Sequence, residues 1–269
     1  MDRNEIHKKQ VVLEIPDMNT AKVIQDLVYK EIDGEKLTAD IYYPASYSKE
    51  DSLPSVIFIH GDAPWENLRT IKESGQYTSW GQLAAASGLI GITFTHRSTH
   101  GFTDLLGPTE DILDLFQYVQ SCASELKIDS NRIGVWVCSA GGPTGLTALL
   151  KTKPEWAKCL VSYYSLMDLF DLKHELSEKQ INEFSAINYL SDTPDRLPPM
   201  YVVKAELDSL IFNNSIDRFV HEAECLSVPV HLVNHSSGHH GFDLFDDNEL
   251  SKEIIFETLT FFRTNLHVT

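Results

Sequence analysis

Short apolar runs alternate with amphipathic stretches along most of the chain, the order expected of a mainly parallel sheet covered by helices. The first strands depart from that order. Residues 27–32 and 36–43 flank an Asp33-Gly34 pair and read as a β-hairpin, because Asp-Gly supplies the positive φ of a tight turn. Further strands are expected at 55–59 (SVIFI), 89–95, 133–138 (IGVWVC), 159–164, 201–205 and 228–233. Helices are expected at 80–86, ending at the break of Gly88, and at 109–126, 143–150, 215–224 and 249–264. In the second of these Ile112, Leu115, Phe116 and Val119 fall on one face, with acids in the first turn. Residues 165–199 break the rhythm: they are charged, helical only in pieces, and close on TPDRLPP. They read as a small cap inserted into a single α/β domain spanning 1–269, being too few for a second domain.

Composition narrows the setting without naming a function. Hydrophobic residues make up 42% and charged residues 23% of the chain, enough apolar material for a core. No run approaches the roughly 18 apolar residues of a membrane helix. Residues 1–10 are polar, so no signal peptide is read and a cytoplasmic setting is expected. The four cysteines, Cys122, Cys138, Cys159 and Cys225, lack CxxC spacing and are expected to be free buried thiols. With 22 basic against 39 acidic residues the formal charge is −17, a field that repels phosphate backbones and anionic lipid. Neither nucleic acid nor membrane is therefore expected as a partner; a small molecule is, and a homodimer stays open.

The chemistry is concentrated in three loops. In RIGVWVCSAGG (132–142) a strand delivers Ser139 into a turn of small residues that opens a helix. Such a turn lifts the serine Oγ above the sheet and aims the Ala140 N–H at a developing oxyanion. Gly141 fills the second glycine of the G-x-S-x-G pattern, but Val137 replaces the first, which leaves the tightness of the turn open. A shifted register would make Cys138 the nucleophile, at the cost of placing Trp136 at a small-residue position.

A serine needs a base, and the base an orienting acid. GHHGF (238–242) comes after the last strand; His240 is the better base and His239 the alternative. Asp208 lies three residues past the apolar run at 201–205, with Glu206 and Asp217 as alternatives. The chain order Ser139, Asp208, His240 is that of one group of serine hydrolases and differs from the two other common orders. The strand at 55–59 ends in His60-Gly61-Asp62, where the Asp62 N–H or the Gly61 N–H would supply a second oxyanion donor; His60 itself reads as structural. His96/His100 and His235/His239 are each four apart, but both pairs sit in loop-like sequence and no metal site is expected. His100-Gly101-Phe102 repeats the letters of 240–242 ahead of the nucleophile and is read as a decoy.

On these residues the sequence resembles the α/β-hydrolase superfamily, most closely its esterase and dienelactone-hydrolase-like branches. LTADIYYP (37–44), IFIHGD (57–62), RIGVWVCSAGG (132–142), PPMYVVKAELDS (198–209) and GHHGFD (238–243) carry the resemblance. It implies a mostly parallel eight-stranded sheet with a helical cap, and hydrolysis of carboxylic esters without a cofactor. Ser139, Asp208 and His240 match the triad positions. Same-fold cleavage of peptide, lactone or thioester bonds, or a binding protein on this scaffold, are the rival expectations.

Overall fold

The computed structural model describes residues 3–48 and 52–268. Eight strands form one sheet in the order β1-β2-β4-β3-β5-β6-β7-β8. They are β1 Lys22–Ile32, β2 Glu35–Tyr43, β3 Leu53–Ile59, β4 Ile90–Phe94, β5 Ile128–Cys138, β6 Ala157–Tyr163, β7 Met200–Ala205 and β8 Val230–His235. β1 and β2 pair antiparallel through a turn in which Asp33 and Gly34 both take positive φ, 53° and 80°. β2 joins β4 antiparallel, and every pairing from β4 through β3 to β8 is parallel. β3, β4 and the second half of β5 are apolar runs because helices cover both of their faces.

One face carries α2 Leu106–Ser121, α3 Thr147–Thr152 and α5 Leu210–Cys225, packed on Ile57, Ile59, Val135, Val137 and Val202. The other carries α1 Gly75–Ala86 and α6 Glu249–Asn265, packed on Phe58, Trp136, Val161 and Val203. Inside the second layer the rings of Trp80, Trp136, Tyr163 and Phe58 lie against one another, with centroids 5.3–5.9 Å apart.

Several boundaries differ from expectation for physical reasons. β5 starts at Ile128, because the polar stretch before the apolar run is already extended and pairs Ile128 with Leu53. α2 starts at Leu106 and ends at Ser121. α5 starts at Leu210, five residues early; its first turn leaves Leu210 exposed, so no apolar face marks it. The helix expected at 143–150 is a π-turn, Gly142–Leu146, continued by α3, and Lys153 at φ 46° ends it ahead of Pro154. The cysteines are also mixed rather than uniformly buried: Cys138 and Cys159 are buried, Cys122 is half-buried and Cys225 exposed, because the last two lie at helix ends.

Residues 165–199 lie between β6 and β7 and hold short turns around α4, Glu178–Phe184, whose start is fixed by a Ser177–Gln180 capping box. Leu166, Leu169, Leu172 and Phe184 form a small apolar cluster of their own with Leu105. The cluster is tied to α5: the Ser215 hydroxyl accepts the Met167 and Asp168 N–H groups, and Arg218 pairs with Asp168 and Asp171. Among the described residues no helix is long and apolar enough to cross a membrane.

Candidate active site

Ser139 sits at the end of β5 with φ 53°, a left-handed backbone that costs a non-glycine residue about 1–3 kcal/mol. Neighbouring strands and turns hold it there. Its N–H donates to Tyr163 O (3.1 Å), and its carbonyl accepts the Gly142 and Leu166 N–H groups at 3.2 and 3.0 Å. Val137 does not loosen this turn. Val137 is buried, and its Cγ2 lies 2.9 Å from where a Cβ at Gly141 would stand, beside His60 O at 2.8 Å. The crowding that two glycines usually share is relieved at Gly141 alone.

Ser139 Oγ lies 2.8 Å from His240 Nε2, and His240 Nδ1 lies 2.6 Å from Asp208 Oδ2. The Asp208 side chain is 5% exposed and the His240 ring 38%, so Asp208 is shielded while His240 is partly exposed. Asp208 Oδ1 accepts its neighbour's N–H from Ser209 at 2.6 Å, leaving Oδ2 for the histidine. The loops bearing acid and base are joined directly: Glu206 N–H donates to His235 O and Leu207 N–H to Gly238 O. The alternatives point elsewhere. His239 is held by Asp246 through both its N–H and its ring, Asp217 pairs with Lys204 at 2.8 Å, and Glu206 is exposed. Cys138 is buried beneath the turn, 3.5 Å from the Tyr77 hydroxyl, and burial pushes its thiol up to about 12.

On the opposite side Gly61 backs onto the nucleophile: a Cβ there would meet Ser139 Cβ at 2.9 Å and approach the Ala140 nitrogen at 3.6 Å. Asp62 comes next, its carboxylate bonded to residues 98–101. His60 and His96 are buried and stacked, 3.5 Å between centroids at 10°. The His96 N–H donates to His60 Nε2, which leaves Nδ1–H of His60 to donate to Gly61 O at 2.7 Å. Burial lowers the pKa of both rings and keeps them neutral. His100 is exposed. His235 is buried and bonded to Ser251 (2.8 Å), and no acid, histidine or cysteine cluster able to hold a metal is found among the described residues.

Three further residues, Tyr164, Phe212 and Asp243, surround the site. Tyr164, directly after β6, lays its ring 4.7 Å from that of His240, and Phe212 of α5 does the same from another side. Asp243 is fully buried and takes hydrogen bonds from Tyr164 (2.5 Å), Gln76 (2.9 Å) and Trp80 (3.1 Å). Burial raises its pKa, and these donors hold the loop after His240 onto α1. An isolated buried acid gives no periodic signal in a sequence; Asp243 was marked only as the last residue of the GHHGFD segment.

A family profile, BD-FAE, matches residues 39–225, from β2 to the end of α5, a span containing Ser139, Asp208 and Asp62. The chain belongs to the BD-FAE family. His240 lies beyond the matched span of this BD-FAE chain. The non-reducing polyketide synthase pkbA of Emericella nidulans is 29% identical over 155 residues, 54% of this chain and 6% of the synthase. The synthase stbA of Stachybotrys bisbyi is 28% identical over 143 residues, 51% and 6%. The chain thus spans about 6% of the length of the curated relatives it matches. Among solved structures, the native thermophilic esterase Est2 of Thermogutta terrifontis superposes with a TM-score of 0.72 at 20% identity, covering 93% of this chain and 94% of that one. Its propionate-bound form gives 0.69 at 20% identity, covering 91% and 95%. The form phosphorylated by paraoxon gives 0.66 at 20% identity, covering 93% and 94%. These likenesses establish the α/β-hydrolase fold for the BD-FAE chain.

Proposed function

We propose that the protein is a serine hydrolase that cleaves carboxylic esters of small or medium acyl groups through an acyl-enzyme on Ser139. One observation carries the reading: an unbroken relay from Ser139 Oγ to His240 at 2.8 Å and from His240 to Asp208 at 2.6 Å. The backbone strain at Ser139 supports it, since strain of this kind persists where the surroundings enforce it.

His240 Nε2 takes the Ser139 proton as Oγ attacks the ester carbonyl carbon, and the carbonyl π electrons move onto oxygen. Asp208 keeps Nδ1 protonated and stabilises the imidazolium that forms. The Ala140 and Asp62 N–H groups bind the oxyanion, each donor worth about 3 kcal/mol in the transition state. Collapse breaks the bond to the alcohol oxygen, which leaves with the proton from His240. A water then gives its proton to His240 and attacks the acyl carbon; collapse releases the carboxylic acid and returns the proton to Ser139. The reading needs no cofactor. The neighbouring esterase, observed with propionate, with butyrate and phosphorylated by paraoxon, supports both the acyl size and a nucleophilic serine.

The test is labelling by a fluorophosphonate probe together with turnover of p-nitrophenyl acetate, propionate and butyrate. Wild type should be labelled on Ser139 and turn over all three, while Ser139→Ala should do neither. Equal labelling of both proteins ends the assignment. A thioester, a lactone and an aminoacyl amide in the same panel decide which bond is preferred.

A further inference from the structure

The oxyanion turn carries an acid whose side chain does something its backbone cannot. Asp62 lies next to Gly61, the residue that backs onto Ser139. Its Oδ1 accepts the Ser98 hydroxyl at 2.9 Å and the Thr99 N–H at 2.8 Å. Its Oδ2 accepts the Thr99 hydroxyl at 2.5 Å and the Gly101 N–H at 3.4 Å. The two hydroxyls are themselves fixed: Ser98 Oγ accepts the His100 N–H and Thr99 Oγ1 the Phe102 N–H, and both residues are buried.

The same loop grips the turn from its other end, through the ring stack of His96 on His60 and the bond from His96 N–H to His60 Nε2. Gly61, between the two grips, has no side chain of its own and is held through its carbonyl, which lies in the same peptide plane as the Asp62 N–H and accepts His60 Nδ1–H at 2.7 Å. An aspartate side chain has only two rotatable bonds, so a carboxylate held by four donors restrains the Asp62 Cα, and only rotation about N–Cα then separates it from the peptide plane before it, whose other end the His60 bond holds. That plane contains the Asp62 N–H.

We propose that the Asp62 carboxylate is a positioning residue: by bonding to residues 98–101 it fixes the direction of the Asp62 N–H toward the oxyanion. The inference rests on the reading of Ser139 as the nucleophile. It assigns the side chain no contact with substrate; a displacement of about 1 Å at a reacting group is enough to cost about 100-fold in rate.

The experiment compares wild type, Asp62→Ala, Asp62→Asn and Thr99→Val, each normalised by active-site titration. It measures kcat and KM for p-nitrophenyl butyrate and the inhibition constant of a trifluoromethyl ketone, which forms a tetrahedral oxyanion adduct with serine. Asp62→Ala should lose about 30- to 300-fold in kcat with KM changed less than about threefold, and weaken the ketone by a similar factor. Asp62→Asn keeps an acceptor for Ser98 and Thr99 and should recover to within about tenfold of wild type. Thr99→Val removes one hydroxyl donor and should lose about three- to tenfold, which decides the matter should Asp62→Ala not fold. Unchanged kcat and ketone binding per titrated site in the soluble variants, whatever their melting temperatures, overturn the proposal. Failure of the parent reading looks different: wild type itself would lack turnover and Ser139 labelling.

Discussion

The chain contains His-Gly-Phe twice, and the two copies have opposite fates. At 100–102 the histidine is exposed, Phe102 is half-buried at φ 68°, and the loop hangs from Asp62 and the stacked pair His60/His96. At 240–242 Phe242 is fully buried, 4.9 Å from the ring of Tyr163, and Asp243 behind it takes three hydrogen bonds. Both glycines take positive φ, 67° and 78°, but His100 and Phe102 do so as well, at 50° and 68°, while His240 and Phe242 do not, so the two turns differ. The residues around the glycine differ in burial too. A buried aromatic and a buried acid turn one loop into a fixed arm over Ser139; the other, lacking them, is tied to the turn at 60–62 by the Ser98 and Thr99 hydroxyls, the Thr99 and Gly101 N–H groups and the His96 ring.

The two loops should differ most at their histidines. His240→Ala should lower kcat about 10⁴-fold or more, whereas His100→Ala should stay within about twofold, both read with p-nitrophenyl butyrate. Comparable losses would mean that anchoring does not distinguish the loops. Next come the aromatic anchors. Phe242→Ala should cost about 3–5 kcal/mol in urea unfolding, and Phe102→Ala about 1 kcal/mol. Removing the Tyr164 hydroxyl leaves a buried carboxylate oxygen of Asp243 short of a donor; Tyr164→Phe should cost about 1–3 kcal/mol.

The smallest effect sharpens the contrast in how the loops respond to pH. His60 and His96 have folded pKa values below the ordinary imidazole value of about 6.5. Below that pH the unfolded chain takes up protons that the folded chain refuses, so stability falls with falling pH until the depressed folded values are reached. Each ring contributes a slope of about 1.4 kcal/mol per pH unit across that window. His60→Gln should reduce the slope between about pH 6.5 and 5 in urea titrations, and an unchanged slope would remove His60 from the account. Asp243, with its raised folded value, acts in the reverse sense: its contribution is present below the unfolded carboxylate pKa and lost as pH rises through the folded one.

Legibility in the sequence tracked burial. β3, β5 and β7 stood out because a parallel strand covered on both faces must be apolar throughout, and the loops after β5, β7 and β8 could then be searched for chemistry. The approach of Ser139, Asp208 and His240 was readable in that way, each lying just past a strand. Asp243 and Tyr164 were not, because a buried acid among donors from three distant segments has no sequence spacing. The start of α5 was hidden by exposed Leu210, and the effect of Val137 on the turn at Ser139 was left open by the sequence because it depends on the close contact at Gly141.

The two bonds from Glu206 and Leu207 to His235 and Gly238 continue the β7–β8 ladder past the ends of the strands. Acid and base therefore ride on one stiff ribbon, while the nucleophile stands on β5 with β6 in between. Bending of the sheet spares the Asp208–His240 distance and falls on the gap between imidazole and hydroxyl. Of the two distances in the Ser139–His240–Asp208 relay, the one between hydroxyl and imidazole is thus the one that joins separate parts of the sheet.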